Sequence, residues 1–182
     1  MKTLINTKVI ELYDIFISTL ILFFLSPLIL LILIICFFES RNPIFIQTRL
    51  GKNQKPFHLI KFRTMKVNTP SIASHLISKR SVTRFGRLIR LLKLDELPQL
   101  INVIKGDMSL VGPRPCLLNQ TELIELRKKY KIFQVKPGIT GLSQINGIDM
   151  SNPKKLTETD FFMISKINQK NYFKYLLLTL FG

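Results

Sequence analysis

The hydrophobic and polar positions divide the chain into one unbroken apolar run and a longer, patterned remainder. From Ile15 to Phe38 the sequence IFISTLILFFLSPLILLILIICFF carries no charge. At about 1.5 Å per residue a straight helix of that length covers roughly 36 Å, enough to span a hydrocarbon core. The run is too long for a signal peptide, and no small-x-small cleavage site precedes Glu39 and Arg41. Near its middle stands Ser26-Pro27. Pro27 removes one helix hydrogen bond and crowds the preceding turn, so a kink is expected there. A kinked span and a helix that turns back into the same leaflet both satisfy this pattern. The basic segment that follows faces the cytoplasm by the positive-inside rule.

Beyond the run the periods shorten. Pro43 to Gln47 and Phe57 to Phe62 read as two short strands, joined by a basic turn from Arg49 to Pro56 that contains Gly51. Lys66 to Ser81 is polar and aperiodic, a surface loop or short helix. Phe85, Leu88, Ile89 and Leu92 then recur at i, i+3, i+4 and i+7, which puts them on one face of a helix beside a ridge of Arg84, Arg87, Arg90 and Lys93. Leu97, Leu100, Ile101 and Ile104 pattern a second helix, with Pro98 in its first turn. Asn119 to Glu122 resembles a capping box opening a third helix that runs to Tyr130. Its Leu123, Leu126 and Tyr130 pack inward, and its Arg127 to Lys131 complement the helix dipole. From Thr157 the chain is helical again. Lys166, Lys170 and Lys174 align on one face, either against lipid headgroups or simply solvated. The length fits one domain.

Charge changes the picture most. Against 11 acidic residues stand 27 Lys and Arg, a net charge of +16, which predicts anionic partners. No acidic residue occurs from Arg41 through Lys93, and the cationic ridge then meets Asp95 and Glu96. The helix N-terminus and the cations upstream both favour an ionised Asp95. Such a carboxylate serves as a metal ligand or as a nucleophile toward phosphorus, and equally well as a plain N-cap. In Lys105 to Cys116, KGDMSLVGPRPC, Gly112 allows close backbone approach to a ligand and the two prolines hold Arg114 extended. That presentation suits bidentate phosphate binding, although an Arg on a tight surface turn would look the same. The glycines of Lys136 to Gly147 lack the order of a dinucleotide or P-loop fingerprint. Two cysteines, Cys36 and Cys116, suggest no disulfide framework. No recognition module supports a nucleic-acid partner.

Taken together, the segments resemble the bacterial sugar transferases, specifically the small monotopic phosphoglycosyl transferases. The resemblance rests on five motifs in order: the apolar run with Ser26-Pro27, Lys61-Phe-Arg-Thr-Met65, Leu94-Asp-Glu-Leu-Pro-Gln-Leu100, Gly106-Asp-Met-Ser-Leu-Val-Gly-Pro-Arg-Pro115 and Lys136-Pro-Gly-Ile-Thr-Gly141. It implies an α+β, mostly helical, membrane-associated fold. Residues 1–40 would form a re-entrant membrane helix broken at Ser26 and Pro27, and residues 41–182 a cytoplasmic catalytic domain with interfacial helices. It implies transfer of a phosphosugar from a UDP-sugar to undecaprenyl phosphate with release of UMP, on the cytoplasmic face of the inner membrane. The product would start a surface polysaccharide such as capsule or O-antigen. By the same resemblance Asp95 is the covalent nucleophile, Glu96 completes a dyad, and both lie at a Mg²⁺ ion. Arg90, Gly112, Pro113 and Arg114 would hold phosphate, while Lys61, Arg63 and Asp160 match positions near the site. Membrane lipid and other glycan-assembly enzymes are the further partners implied. The pattern departs at Ile148, where an Arg commonly follows the glycine at Gly147, so the alternative is an idle homologue acting as a scaffold.

Overall fold

A computed structural model describes residues 7–69 and 79–181. The Lys2 end of the chain and most of the Lys66 to Ser81 loop lie outside the described residues. The apolar run forms two helices, α1 (Thr7–Phe24) and α2 (Ser26–Ser40), bent by 66° at Leu25. The chemistry of the bend is local. Pro27 has no N–H to offer the Phe23 carbonyl, and the Ser26 hydroxyl donates to that oxygen instead, at 2.8 Å. Among the described residues no single helix is long and apolar enough to cross a membrane, although the bent pair is by length and composition.

Helix α1 is bound to the rest of the protein through a buried carboxylate. Asp14, 3% exposed, accepts from the Leu110 amide at 2.8 Å and from the Tyr172 hydroxyl at 2.6 Å. The strand β3 (Ser109–Val111) and the C-terminal helix α8 (Gln169–Phe181) are thereby tied to it. Its Ile10, Tyr13, Ile17 and Ile21 pack on the main core, while Leu12, Phe16, Phe23 and Phe24 point outward. In α2, Ile32 and Cys36 are buried against Phe62 and Ile89, and Phe37 and Phe38 are exposed. Both cysteines are free and buried.

Strands β1 (Ile44–Leu50) and β2 (Pro56–Phe62) pair antiparallel, with Phe45 opposite Lys61 and Arg49 opposite Phe57. The first strand runs three residues past its expected end, so Arg49 belongs to the sheet and not to the turn. A second sheet is absent from the sequence reading. There β3 pairs parallel with β4 (Gly138–Thr140), Ser109 opposite Gly138 and Val111 opposite Thr140. The main core gathers Phe57 and Leu59 of β2, Leu100 and Val103 of α4 (Gln99–Ile104), Met108, Leu110, Ile132, and Met163 of α7 (Pro153–Lys166) with Tyr172 and Tyr175 of α8.

Helix α3 (Arg84–Leu91) buries Ile89 and leaves Leu88 and Leu91 exposed, with Leu92 exposed just past its end. Other expectations are corrected. Helix α4 is a short six-residue helix that buries Gln99, Leu100, Asn102 and Val103 and exposes Ile101 and Ile104. Asn102 is drawn inward because its amide bonds both the Ile60 N–H and the His58 carbonyl of β2. The capping box before α5 (Thr121–Lys129) does not form, since the Gln120 side chain turns back to accept from the Leu117 amide. The last lysines lie on two helices, not one. Helix α7 ends at Lys166, Ile167 turns extended, and Asn168 caps α8 by accepting from the Asn171 amide. A four-residue helix, α6 (Leu142–Ile145), completes the set.

Candidate active site

The cationic helix is seated by its first turn. Thr83 caps α3 by accepting from the Gly86 amide at 3.0 Å. Gly86 presses on the Thr64 carbonyl so closely that a Cβ there would sit 2.3 Å from it. One turn later Arg90 donates from Nε to the Thr64 hydroxyl at 2.7 Å. The chain then reverses through Lys93, whose φ of 56° is a left-handed conformation that costs a non-glycine residue about 1 kcal/mol. A single 3-10 turn, Leu94–Glu96, follows and carries both carboxylates.

Glu96 is the better tethered of the two. Lys61 of β2 lies 2.8 Å from its Oε1, and Arg114 Nη2 lies 3.0 Å from the same atom. Burial pushes the Glu96 carboxyl up, yet the two cations outweigh it and hold the carboxyl down at about 2. Asp95, 8% exposed, has no hydrogen bond to its carboxylate among the described residues. Burial dominates there and raises its proton affinity, and Glu96 adds to the effect, against the opposing pull of Lys61, Arg90 and Arg114. The cations visible in the sequence favour the ionised form of Asp95, and desolvation opposes them. An underbonded, poorly solvated carboxylate among cations has the reactivity a nucleophile needs.

Lys61, Arg90, Asp95, Glu96 and Arg114 therefore lie together. Three other expected binders do not. Arg63 turns to the chain entering β1, donating to the carbonyls of Asn42 and Ile44, and its guanidinium lies over the Phe45 ring. Asp160 is fully buried, its carboxylate engaged by Arg127 Nη2 and the Ser143 hydroxyl, both at 2.7 Å. The third, Gly112, is already required by its own chain. A Cβ there would come within 2.6 Å of the Lys136 carbonyl and 2.7 Å of the Gly138 nitrogen.

Pro113 has a comparable role, and with it the arm that carries Arg114 becomes intelligible. Prolines 113 and 115 have no N–H, so at these two positions the backbone can be held only through its carbonyls. Four in succession are taken. Pro113 O accepts from the Gly138 amide at 2.9 Å and Arg114 O from Arg127 Nη1 at 2.7 Å. Pro115 O accepts from Arg49 Nη1 at 3.1 Å and Cys116 O from the Leu50 amide at 3.0 Å. Arg49 and Arg127 are the residues the sequence reading misses. Arg127 looks like a dipole complement near a helix end, and Arg49 like part of a basic turn. No sequence signal marks them, because β1 buries Gln47 and Arg49 and exposes Ile46, against its apolar alternation. Ile148, the departure from the family pattern, packs on the Cys116, Leu123 and Leu156 cluster.

Among the described residues no group of three or more His, Cys, Asp or Glu side chains could by itself hold a metal. The donor set still suits Mg²⁺. Adjacent carboxylates offer Asp95 and the Glu96 Oε2, which has no hydrogen-bond partner among the described residues. Magnesium ordinarily takes one or two carboxylates and completes its shell with water and substrate phosphate.

Comparison with known proteins gives a consistent outcome. The model of the bacterial sugar transferase family matches residues 5–182. The uncharacterized sugar transferase EpsL of Bacillus subtilis (strain 168) is 41% identical over 155 residues, 85% of this chain and 76% of its own. The UDP-glucose:undecaprenyl-phosphate glucose-1-phosphate transferase of Caulobacter vibrioides is 40% identical over 140 residues, 74% of this chain and 52% of the relative. The UDP-N-acetylgalactosamine-undecaprenyl-phosphate N-acetylgalactosaminephosphotransferase of Aeromonas hydrophila is 35% identical over 151 residues, 79% of this chain and 36% of the relative.

Proposed function

The chain belongs to the bacterial sugar transferase family, and from that premise we propose that it transfers a phosphosugar from a UDP-sugar to undecaprenyl phosphate and releases UMP. The observation that carries the reading is Asp95, a buried and underbonded carboxylate set among Lys61, Arg90 and Arg114 beside the tethered Glu96. The two relatives named for such transfers, one for glucose 1-phosphate and one for N-acetylgalactosamine phosphate, support the reaction class.

The chemistry proceeds in two displacements. A carboxylate oxygen of Asp95 attacks the phosphorus that bears the sugar, the bond from that phosphorus to the bridging oxygen breaks, and UMP departs with the bridging oxygen. An oxygen of the lipid phosphate then attacks the same phosphorus, and the Asp95 carboxylate is the leaving group. Nucleophiles and leaving groups are all anions, so neither step requires a proton donor or acceptor, and the demand falls on charge neutralisation. Arg114 presents its planar fork to the diphosphate, Arg90 lends a second guanidinium, and Lys61 keeps Glu96 ionised. Asp95 and Glu96 would hold a Mg²⁺ ion, which when bound supplies further positive charge as a Lewis acid. UMP release from a panel of UDP-sugars, with undecaprenyl phosphate and Mg²⁺, tests the proposal, and a chain inert toward every donor would refute it.

A lipid acceptor calls for a membrane site, and the exposed apolar residues fit one. Phe16, Phe23 and Phe24 of α1, Phe37 and Phe38 of α2 and Leu88, Leu91 and Leu92 of α3 are unusual on a surface facing only water. The α1–α2 bend is read as a re-entrant helix with both ends in the cytoplasm, at the inner membrane. Cysteines replacing Lys8 and Lys52 should both resist a membrane-impermeant maleimide in intact cells and both react after permeabilisation. Labelling of position 8 in intact cells would show a full span.

A further inference from the structure

Arg49 is a buried cation without an acid. Its guanidinium donates twice to Gln47 Oε1, at 2.6 and 3.0 Å, and once to the Pro115 carbonyl. Among the described residues no carboxylate lies within ion-pairing distance of it, whereas Arg127, also buried, has Asp160 at 2.7 Å. Burial, reinforced by the nearby charge of Arg114, holds the Arg49 guanidinium down at about 10. Keeping an unpaired guanidinium in a protein interior costs stability. A neutral hydrogen-bonding residue at this position could not span Gln47 and Pro115 with the same fork. Nor is the residue idle packing, because β1 turns this polar pair inward and leaves Ile46 58% exposed.

The place it grips matters more than the charge it carries. Pro115 directly follows Arg114, whose side chain meets Glu96 at 3.0 Å. Pro115 offers no N–H, so its carbonyl is the backbone handle available on that side of Arg114. We propose that Arg49 is a positioning residue: by holding the Pro115 carbonyl it sets where the Arg114 guanidinium meets Glu96 and the donor diphosphate. The proposal rests on reading Arg114 as a phosphate ligand of the transferase.

The test is a double-mutant cycle with a substrate-free arm, on the full chain. Arg49→Lys keeps the charge and loses the fork, and should lower kcat/KM for UMP release by about tenfold or more. In an Arg114→Ala background the same change should cost about twofold or less, because the residue through which it acts is gone. In the substrate-free arm phenylglyoxal modification is followed by peptide mass spectrometry. Arg114 should react several-fold faster in Arg49→Lys than in the parent, while Arg63, braced elsewhere, reacts at its parental rate. Additive losses in the cycle, or an unchanged Arg114 labelling rate, overturn the proposal. A parent that releases no UMP from any donor defeats the functional reading instead, and the labelling arm then decides the positioning role alone.

Discussion

Asp95→Asn is expected to lower UMP release by on the order of a thousandfold or more, the scale of losing a covalent nucleophile. The substitution keeps the size of the side chain and one acceptor oxygen. It also removes a buried anion whose proton affinity is already raised by its surroundings, so the folded state should tolerate it. What it lacks is an oxygen able to form an acyl phosphate. The discriminating condition is the absence of acceptor lipid. With UDP-sugar and Mg²⁺ alone the parent should release about one UMP per site as a burst, and the Asn variant none. Acid-quenched parent should carry the phosphosugar on the peptide containing Asp95. Glu96→Gln should be impaired for another reason, since it loosens Lys61 and Arg114, which share the Glu96 Oε1. It retains the nucleophile and should still accumulate some adduct. Normal transfer by the Asn variant, or an adduct mapped to Glu96, would assign the nucleophile elsewhere.

The sequence exposes this site unevenly, for physical reasons. Features written in neighbouring residues are legible. Ser26-Pro27 announces the bend because the missing N–H and the compensating hydroxyl are adjacent in the chain. The β1–β2 hairpin shows in its two apolar runs, and Asp95, Glu96 and Arg114 in motifs a few residues long. Features made by distant residues are not legible. Strands β3 and β4 have three residues each, two of the six being polar and one a glycine, and their parallel pairing joins segments that no periodicity links. Asp160 and Arg127 meet across 33 positions, and nothing in the sequence shows that the fold pairs them inside. The proton affinity of Asp95 divides the same way: cations upstream are visible in sequence, but desolvation is a property of the packed site. The exposed leucines of α3 show the converse. The helical period identifies an apolar face correctly, and cannot say whether protein or lipid covers it.

The hidden strand pair carries the second large expectation, in Gly138→Ala. At this position a Cβ would lie 2.0 Å from the Gly112 nitrogen and 2.5 Å from the Gly112 Cα. Both are backbone atoms, so no side chain can swing aside to relieve the clash. The Gly138 amide is also the donor to Pro113 O, and the Gly112 amide donates to Thr140 O at 2.8 Å, so the strands cannot separate without losing the hydrogen bonds that hold the arm. The cost should be about 3 kcal/mol or more, at the severe end for a single methyl group. Because the strain is relieved by moving Gly112 and Pro113, Arg114 should shift away from Glu96, and UMP release should fall by at least about tenfold even well below the melting temperature. Gly147→Ala is the matched control. Its φ of +64° carries a backbone penalty of about 1 kcal/mol, but nothing lies within 4 Å of the new Cβ. That variant should melt slightly lower and keep its rate. If Gly138→Ala matched the control in both stability and rate, the β3–β4 contact could not be what fixes the phosphate-binding arm.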